Sequence, residues 1–159
     1  MNETRHAQSD EPTGATLPLM YQMVYCSRAT AGIDDESVAR ILETAHRCNP
    51  PNGITGLLVF GSGVFFQWLE GPRDNVTRLM MRLHEDSRHD TIVKLSESEE
   101  LRERLFPEWD MELVSAGEIR DVLLDALSST DDPSSLDAVR VLLQHVEANQ
   151  DSRDGDTSI

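Results

Sequence analysis

Ile54 to Phe60 (ITGLLVF) and Val64 to Glu70 (VFFQWLE) are nearly unbroken apolar runs separated only by Gly61-Ser62-Gly63. A glycine-bearing link this short turns the second run back along the first as a β-hairpin. The first run, apolar almost throughout, needs cover on both faces, so the rest of the chain has to be arranged around it.

Upstream, Leu17 to Ser27 (LPLMYQMVYCS) reads as a first strand, broken by Thr30-Ala31-Gly32. Asp34-Asp35 then open a helix, with acids suited to its N-terminus. Val38, Ile41, Leu42 and Ala45 recur along it at helical spacing, and Asn49-Pro50-Pro51-Asn52-Gly53 stops it. Downstream of the hairpin, Gly71-Pro72 leads into a second helix over roughly 73–86, with Val76, Leu79, Met80 and Leu83 inward. Thr91 to Ser96 predicts a fourth strand and Trp109 to Val114 a fifth. The order predicts an α+β fold: a ferredoxin-like β-α-β-β-α-β plait with an added fifth strand, its mixed sheet covered by two helices on one face. Ile119 to Leu127 and Leu136 to Val146 show helical spacing too, separated by the turn-rich segment 128–135, and read as appended helices.

Composition bounds the rest. The 159 residues suit one core with appendages, expected as a domain over 17–114 and a helical extension over 115–148. The stretches 1–16 and 149–159 offer little to bury and are expected to be disordered. With 29 Asp+Glu against 14 Lys+Arg the net charge is −15, which argues against nucleic acid and anionic membranes as partners. No run is long and apolar enough to span a bilayer, and the N-terminus lacks the order of a secretory signal. Cys26 and Cys48 make neither a metal knuckle nor a disulfide framework, so a cytoplasmic protein with free thiols is expected.

A few polar residues carry possible chemistry. Gln67 interrupts an apolar strand on the face of Phe65 and Leu69. It is either a solvent-facing edge residue or a buried amide that must find partners, at a cost of about 1–3 kcal/mol if it fails. Tyr25 follows Tyr21 and Met23 at period two, the usual setting of a packing tyrosine. Asn49 ends the first helix, where an Asn commonly caps in a left-handed conformation. Arg82 and Asp86, four apart, can pair on one helix face, and Arg88-His89 follow them. His84 and His89 form no metal constellation with the cysteines, and no phosphate-cradling loop or nucleophile elbow is present, so no enzyme is expected.

Taken together, Met23-Val24-Tyr25-Cys26-Ser27, the segment from Asn49-Pro50-Pro51-Asn52-Gly53 to Leu58, and Val64 to Gly71 resemble the BLUF domains, sensors of blue light using FAD. Asp86-Ser87-Arg88-His89 and Phe106-Pro107-Glu108-Trp109-Asp110-Met111 extend the resemblance, which covers roughly 17–114. It implies a flavin cofactor: FAD, with FMN or riboflavin open, since no adenine site is visible. By position Tyr25 matches the photoactive tyrosine that gives an electron and a proton to the excited flavin. Gln67 matches the glutamine that bridges this tyrosine to the flavin N5 and O4 edge, and Asn49 the asparagine on the pyrimidine edge. Ile41 and Leu83 match the aliphatic walls of the ring. Arg82 falls on the C2 carbonyl side with Asp86 as its partner, and Arg88 and His89 toward the ribityl–phosphate side. Trp109 and Met111 match the pair that relays the switch, expected on one face of the fifth strand. Cys48, beside Asn49, carries no required role.

The resemblance implies a photoreceptor. An amide has a donor end and an acceptor end, so its rotation or tautomerisation reverses the bonds it offers the chromophore. Too few residues follow Val114 for an effector enzyme, so the expected output is a separate signalling partner or a homodimer or larger assembly. The competing reading is a non-photochemical ferredoxin-like regulatory module for a small ligand, which would be expected to lose Tyr25, Asn49 or Gln67. All three are present.

Overall fold

The computed structural model describes residues 17–157 apart from 129 and 131, with side chains described only as far as residue 150. The disorder expected of residues 1–16 lies outside the described residues. Strand β1 (Leu19–Ala29) is followed by helix α1 (Asp35–Cys48), the hairpin β2 (Thr55–Gly61) and β3 (Val64–Gly71), helix α2 (Arg73–Glu85) and β4 (His89–Leu101). A two-residue strand β5 (Glu112–Leu113) and helices α3 (Ile119–Leu127) and α4 (Pro133–Thr157) complete the described chain. The strands form one sheet in the order β4-β1-β3-β2-β5, antiparallel except where β5 runs parallel to β2. This is the expected plait with its added strand.

The hairpin turns at Ser62-Gly63, both at positive φ (54° and 76°), while Gly61 still belongs to β2. Two consecutive positive φ values match the right-handed twist of the flanking strands. β3 lies between β1 and β2, and Phe65 to Gly71 are buried without interruption, so the apolar run is covered on both faces.

Each face has its own core. Phe65 and Leu69 join Tyr21, Met23, Tyr25, Val38, Val76 and Met80 under α1 and α2. Phe66 and Trp68 join Val24, Leu57 and Val59 under Ile119, Leu123, Ala138, Val139 and Leu142 of α3 and α4. The appended helices thus cover the second face, where burying each large apolar side chain contributes about 1.5–3 kcal/mol. α4 continues past Ala148, where the extension is expected to end, and Asn149 Nδ2 donates to Gly61 O (3.2 Å).

Two boundaries differ from expectation. β4 is about twice the predicted length because it pairs with β1 almost throughout, despite its charged, weakly patterned sequence. The fifth strand shrinks to Glu112–Leu113, since the residues before it are held by side chains and single backbone bonds instead of a ladder.

Candidate functional site

A cavity of about 240 Å³ opens between the sheet and helices α1 and α2. β1 and β3 supply its floor: Tyr25 and Gln67 are register partners, joined by a hydrogen bond from the Tyr25 hydroxyl to Gln67 Oε1. Tyr25 is fully buried and Gln67 nearly so. Gln67 is therefore the buried amide of the two readings open to it, and its other end donates to Met111 Sδ at 3.2 Å. Burial, with the Asp86 carboxylate adding to it, pushes the Tyr25 phenol far above its usual range, so it stays a proton carrier.

The walls come from the helices. Ile41 and Ala45 of α1 face Leu79 and Leu83 of α2 across the opening, with Phe65 and Leu58 below them. α1 is placed by Asp34, which caps it by accepting from Ser37 N at 2.9 Å. At its other end Asn49 is right-handed (φ −72°), and Gly53 (φ 66°) takes the left-handed position after the Pro50–Asn52 turn. Asn49 still caps the helix, its N–H bonding Ala45 O at 2.8 Å, while its buried side chain donates through Nδ2 to Asp110 O at 3.0 Å.

The polar rim departs from the expected pairing. Asp86 leaves the helix (φ −80°, ψ 120°), so it no longer stands over Arg82. Its carboxylate instead accepts from Arg88 N, Nε and Nη2 at 2.7–2.9 Å. Those Arg88 bonds hold the Asp86 carboxyl below its usual range. Arg82 lines the exposed mouth with no ion-pair partner among the described residues. His89 contacts Ser27 Oγ through Nδ1 (2.7 Å), while its buried Nε2 has no partner among the described residues. Burial lowers its pKa below the ordinary 6.5, and the Asp86 carboxylate opposes that shift.

Trp109 and Met111 do not share a face. Met111 is buried in the core beneath α1 and α2, whereas Trp109 stacks on Phe106 (centroids 5.2 Å apart) against the core of α3 and α4. Strand alternation does not govern them, because the ladder starts only at Glu112. The segment between is pinned by Gly56 N donating to Trp109 O (2.9 Å), Asn49 to Asp110 O, and His46 Nε2 against Met111 O (2.7 Å). His46 was not predictable as part of this arrangement: it follows the apolar stripe of α1, and its partner is 65 residues away. Thr44 and Cys48 also line the cavity, and only their place on α1 could have suggested it.

Apolar walls, a few placed polar groups on one edge and an unpartnered buried imidazole nitrogen fit a flat heterocycle. The volume is below the roughly 300–1,000 Å³ of a pocket enclosing a whole drug-sized ligand, so the tail of a larger one would extend outward. The sequence profile of the BLUF domains, described as sensors of blue-light using FAD, matches residues 20–112. The chain belongs to the BLUF family.

Similar BLUF proteins include the photoactivated adenylate cyclase subunit beta of Euglena gracilis, 39% identical over 90 residues that cover 56% of this chain and 10% of that one. The blue light- and temperature-regulated antirepressor BluF of Escherichia coli (strain K12) is 42% identical over 65 residues, covering 39% of this chain and 16% of that protein. This BLUF chain therefore spans only about a tenth of the length of the cyclase relative it matches. Among solved structures, BlrB, a BLUF protein in its dark state, has a TM-score of 0.62 and 26% identity, covering 81% of this chain and 98% of that one. BLUF membership makes flavin the expected occupant of the cavity and blue-light sensing the domain's function. Among the described residues, no helix is long and apolar enough to cross a membrane.

Proposed function

We propose that this BLUF chain senses blue light through a hydrogen-bond exchange between Tyr25 and Gln67 and passes the change out through Met111. The observation that carries this reading is the bond from the Tyr25 hydroxyl to Gln67 Oε1 on the cavity floor. Bound flavin supplies the chromophore and the acceptor for one electron. Tyr25, whose hydroxyl is already bonded to the amide, gives up an electron and sends its proton along that bond toward Gln67. The electron then passes back from the flavin to Tyr25 as Gln67 returns the proton, so both redox partners are restored. The amide stays rotated or tautomerised, with a donor pointing where an acceptor had been. Asn49, Arg82 and His89 hold the polar edge, and Ile41 and Leu83 exclude water from the ring faces. A rearranged amide breaks the Nε2 bond to Met111 Sδ, and the strain enters the segment leading to β5 and α3. The output is a separate signalling protein or a change of assembly, which size-exclusion chromatography in darkness and light distinguishes.

Absorption spectra before and after blue light test the switch. The wild type is expected to shift its flavin band to the red and recover in darkness, while Gln67→Ala and Tyr25→Phe bind flavin and lose the reversible shift. A Gln67→Ala protein with the wild-type photocycle refutes the reading. A wild-type protein that binds no flavin favours the small-ligand regulatory module instead.

A further inference from the structure

A second cavity unused by the light switch, about 380 Å³, lies on the opposite side of the sheet from the first. It lies between the loop carrying Phe106 and Trp109 and the face of α3 that presents Val122 and Ala126. Its base is the Phe106–Trp109 stack, whose planes are 21° apart, and Glu108 and Asp125 stand at its edge. Among the described residues, no Lys or Arg lines it. The only basic residue of α3, Arg120, is bonded to Glu147 at 2.6 Å. An apolar groove with acids at its edge, beside a short helix, suits an amphipathic helix laid into it.

We infer that this groove docks a basic amphipathic helix of a signalling partner, with apolar side chains over Phe106 and Trp109 and Lys or Arg facing Glu108 and Asp125. Charge selects the occupant. A second copy of this chain brings 29 acidic residues against 14 basic ones to an edge that is already acidic. A basic segment neutralises that edge and is steered toward the chain by its net charge of −15. The groove also belongs to the signalling path. Trp109 stands two residues before Met111, whose sulfur receives the Gln67 amide, and Asp110 between them is held by Asn49 from the flavin cavity. A change at Gln67 therefore alters the groove wall. This light dependence rests on the proposed Tyr25–Gln67 switch, whereas docking itself does not.

The test uses the flavin-loaded full chain and a synthetic leucine–lysine amphipathic helix carrying a far-red label, so that anisotropy is read without exciting the flavin. Wild type is expected to bind it and to ignore a leucine–glutamate counterpart. Glu108→Lys combined with Asp125→Lys should weaken binding at least about tenfold. Glu43→Lys combined with Asp74→Lys, an equal charge change on exposed α1 and α2 positions, should leave it nearly intact. Equal losses in the two double variants mean diffuse charge attraction and overturn the site, as does binding that survives Glu108→Lys/Asp125→Lys. Illumination should change the affinity by about fivefold or more, the lower end of usual allosteric coupling. A normal red shift with unchanged affinity overturns the coupling. Absence of any red shift instead counts against the Tyr25–Gln67 reading, while the dark comparison still decides the groove.

Discussion

Met111 meets the Gln67 amide in the core beneath α1 and α2, while Trp109, two residues earlier, stacks on Phe106 in the core beneath α3 and α4. Three residues of irregular backbone thus connect the floor of the flavin cavity to the far side of the sheet. They stay in place through Gly56, Asn49 and His46, one from the start of β2 and two from the end of α1.

Replacing Met111 should separate sensing from output. Met111→Ala removes the Gln67 contact and leaves a cavity in a core position, with a stability cost of about 2–5 kcal/mol. Met111→Leu keeps the volume and removes only the sulfur acceptor, for less than about 1.5 kcal/mol. Both variants are expected to retain the red shift. Hydrogen exchange over 112–127 should respond to light in wild type and lose that response in Met111→Leu.

Gly56 is required by packing. A Cβ there would lie 1.8 Å from the backbone oxygen of Trp68, and backbone cannot yield as a flexible side chain can. Gly56→Ala should destabilise the fold by about 1–3 kcal/mol or more through overpacking, read as a lower urea midpoint with an unchanged slope. Gly61, whose added Cβ would meet nothing, is the matched control.

Glu70 and Arg102 form a buried ion pair at 3.2 Å, with Asp132 3.9 Å from Arg102 Nε, and Glu70 also accepts from Phe106 N at 2.7 Å. Arg102→Met strands the carboxylate and should cost about 3–5 kcal/mol in chemical denaturation. Glu70→Leu with Arg102→Met should cost less than Arg102→Met alone, because the fully buried carboxylate leaves with its cation, although Asp132 loses its 3.9 Å partner and Phe106 N its acceptor.

His89 predicts a pH dependence. Its folded pKa lies below 6.5, so the unfolded chain binds the proton more tightly. The contribution is complete above pH 6.5 and is lost as pH falls from there through the lowered folded value. Denaturation of the flavin-free protein on either side of pH 6.5 should show wild type losing more stability on acidification than His89→Asn.

Much of the fold was legible because its signals are local. Apolar runs, glycine turns and helical stripes marked β1, α1, β2, β3 and α2, and their order gave the plait. β4 was read short because its alternation is weak and only pairing with β1 defines it. The family pattern pointed to Tyr25, Asn49, Gln67, Ile41 and Leu83, which the tertiary structure gathers at one cavity. It could not reveal Asp86 pairing with Arg88 in place of Arg82, since that depends on the backbone leaving the helix at Asp86.

The sequence by itself determined the hairpin, the plait and the residue types available to a flavin, because these follow from periodicity, turn chemistry and an ordered set of motifs. Only the tertiary structure decided that Gln67 is buried, that Met111 and Trp109 divide between two cores, and that α3 and α4 close the second face. Those outcomes depend on contacts between residues far apart in sequence. Strand alternation cannot be extrapolated into a segment that side chains, rather than a ladder, hold in place.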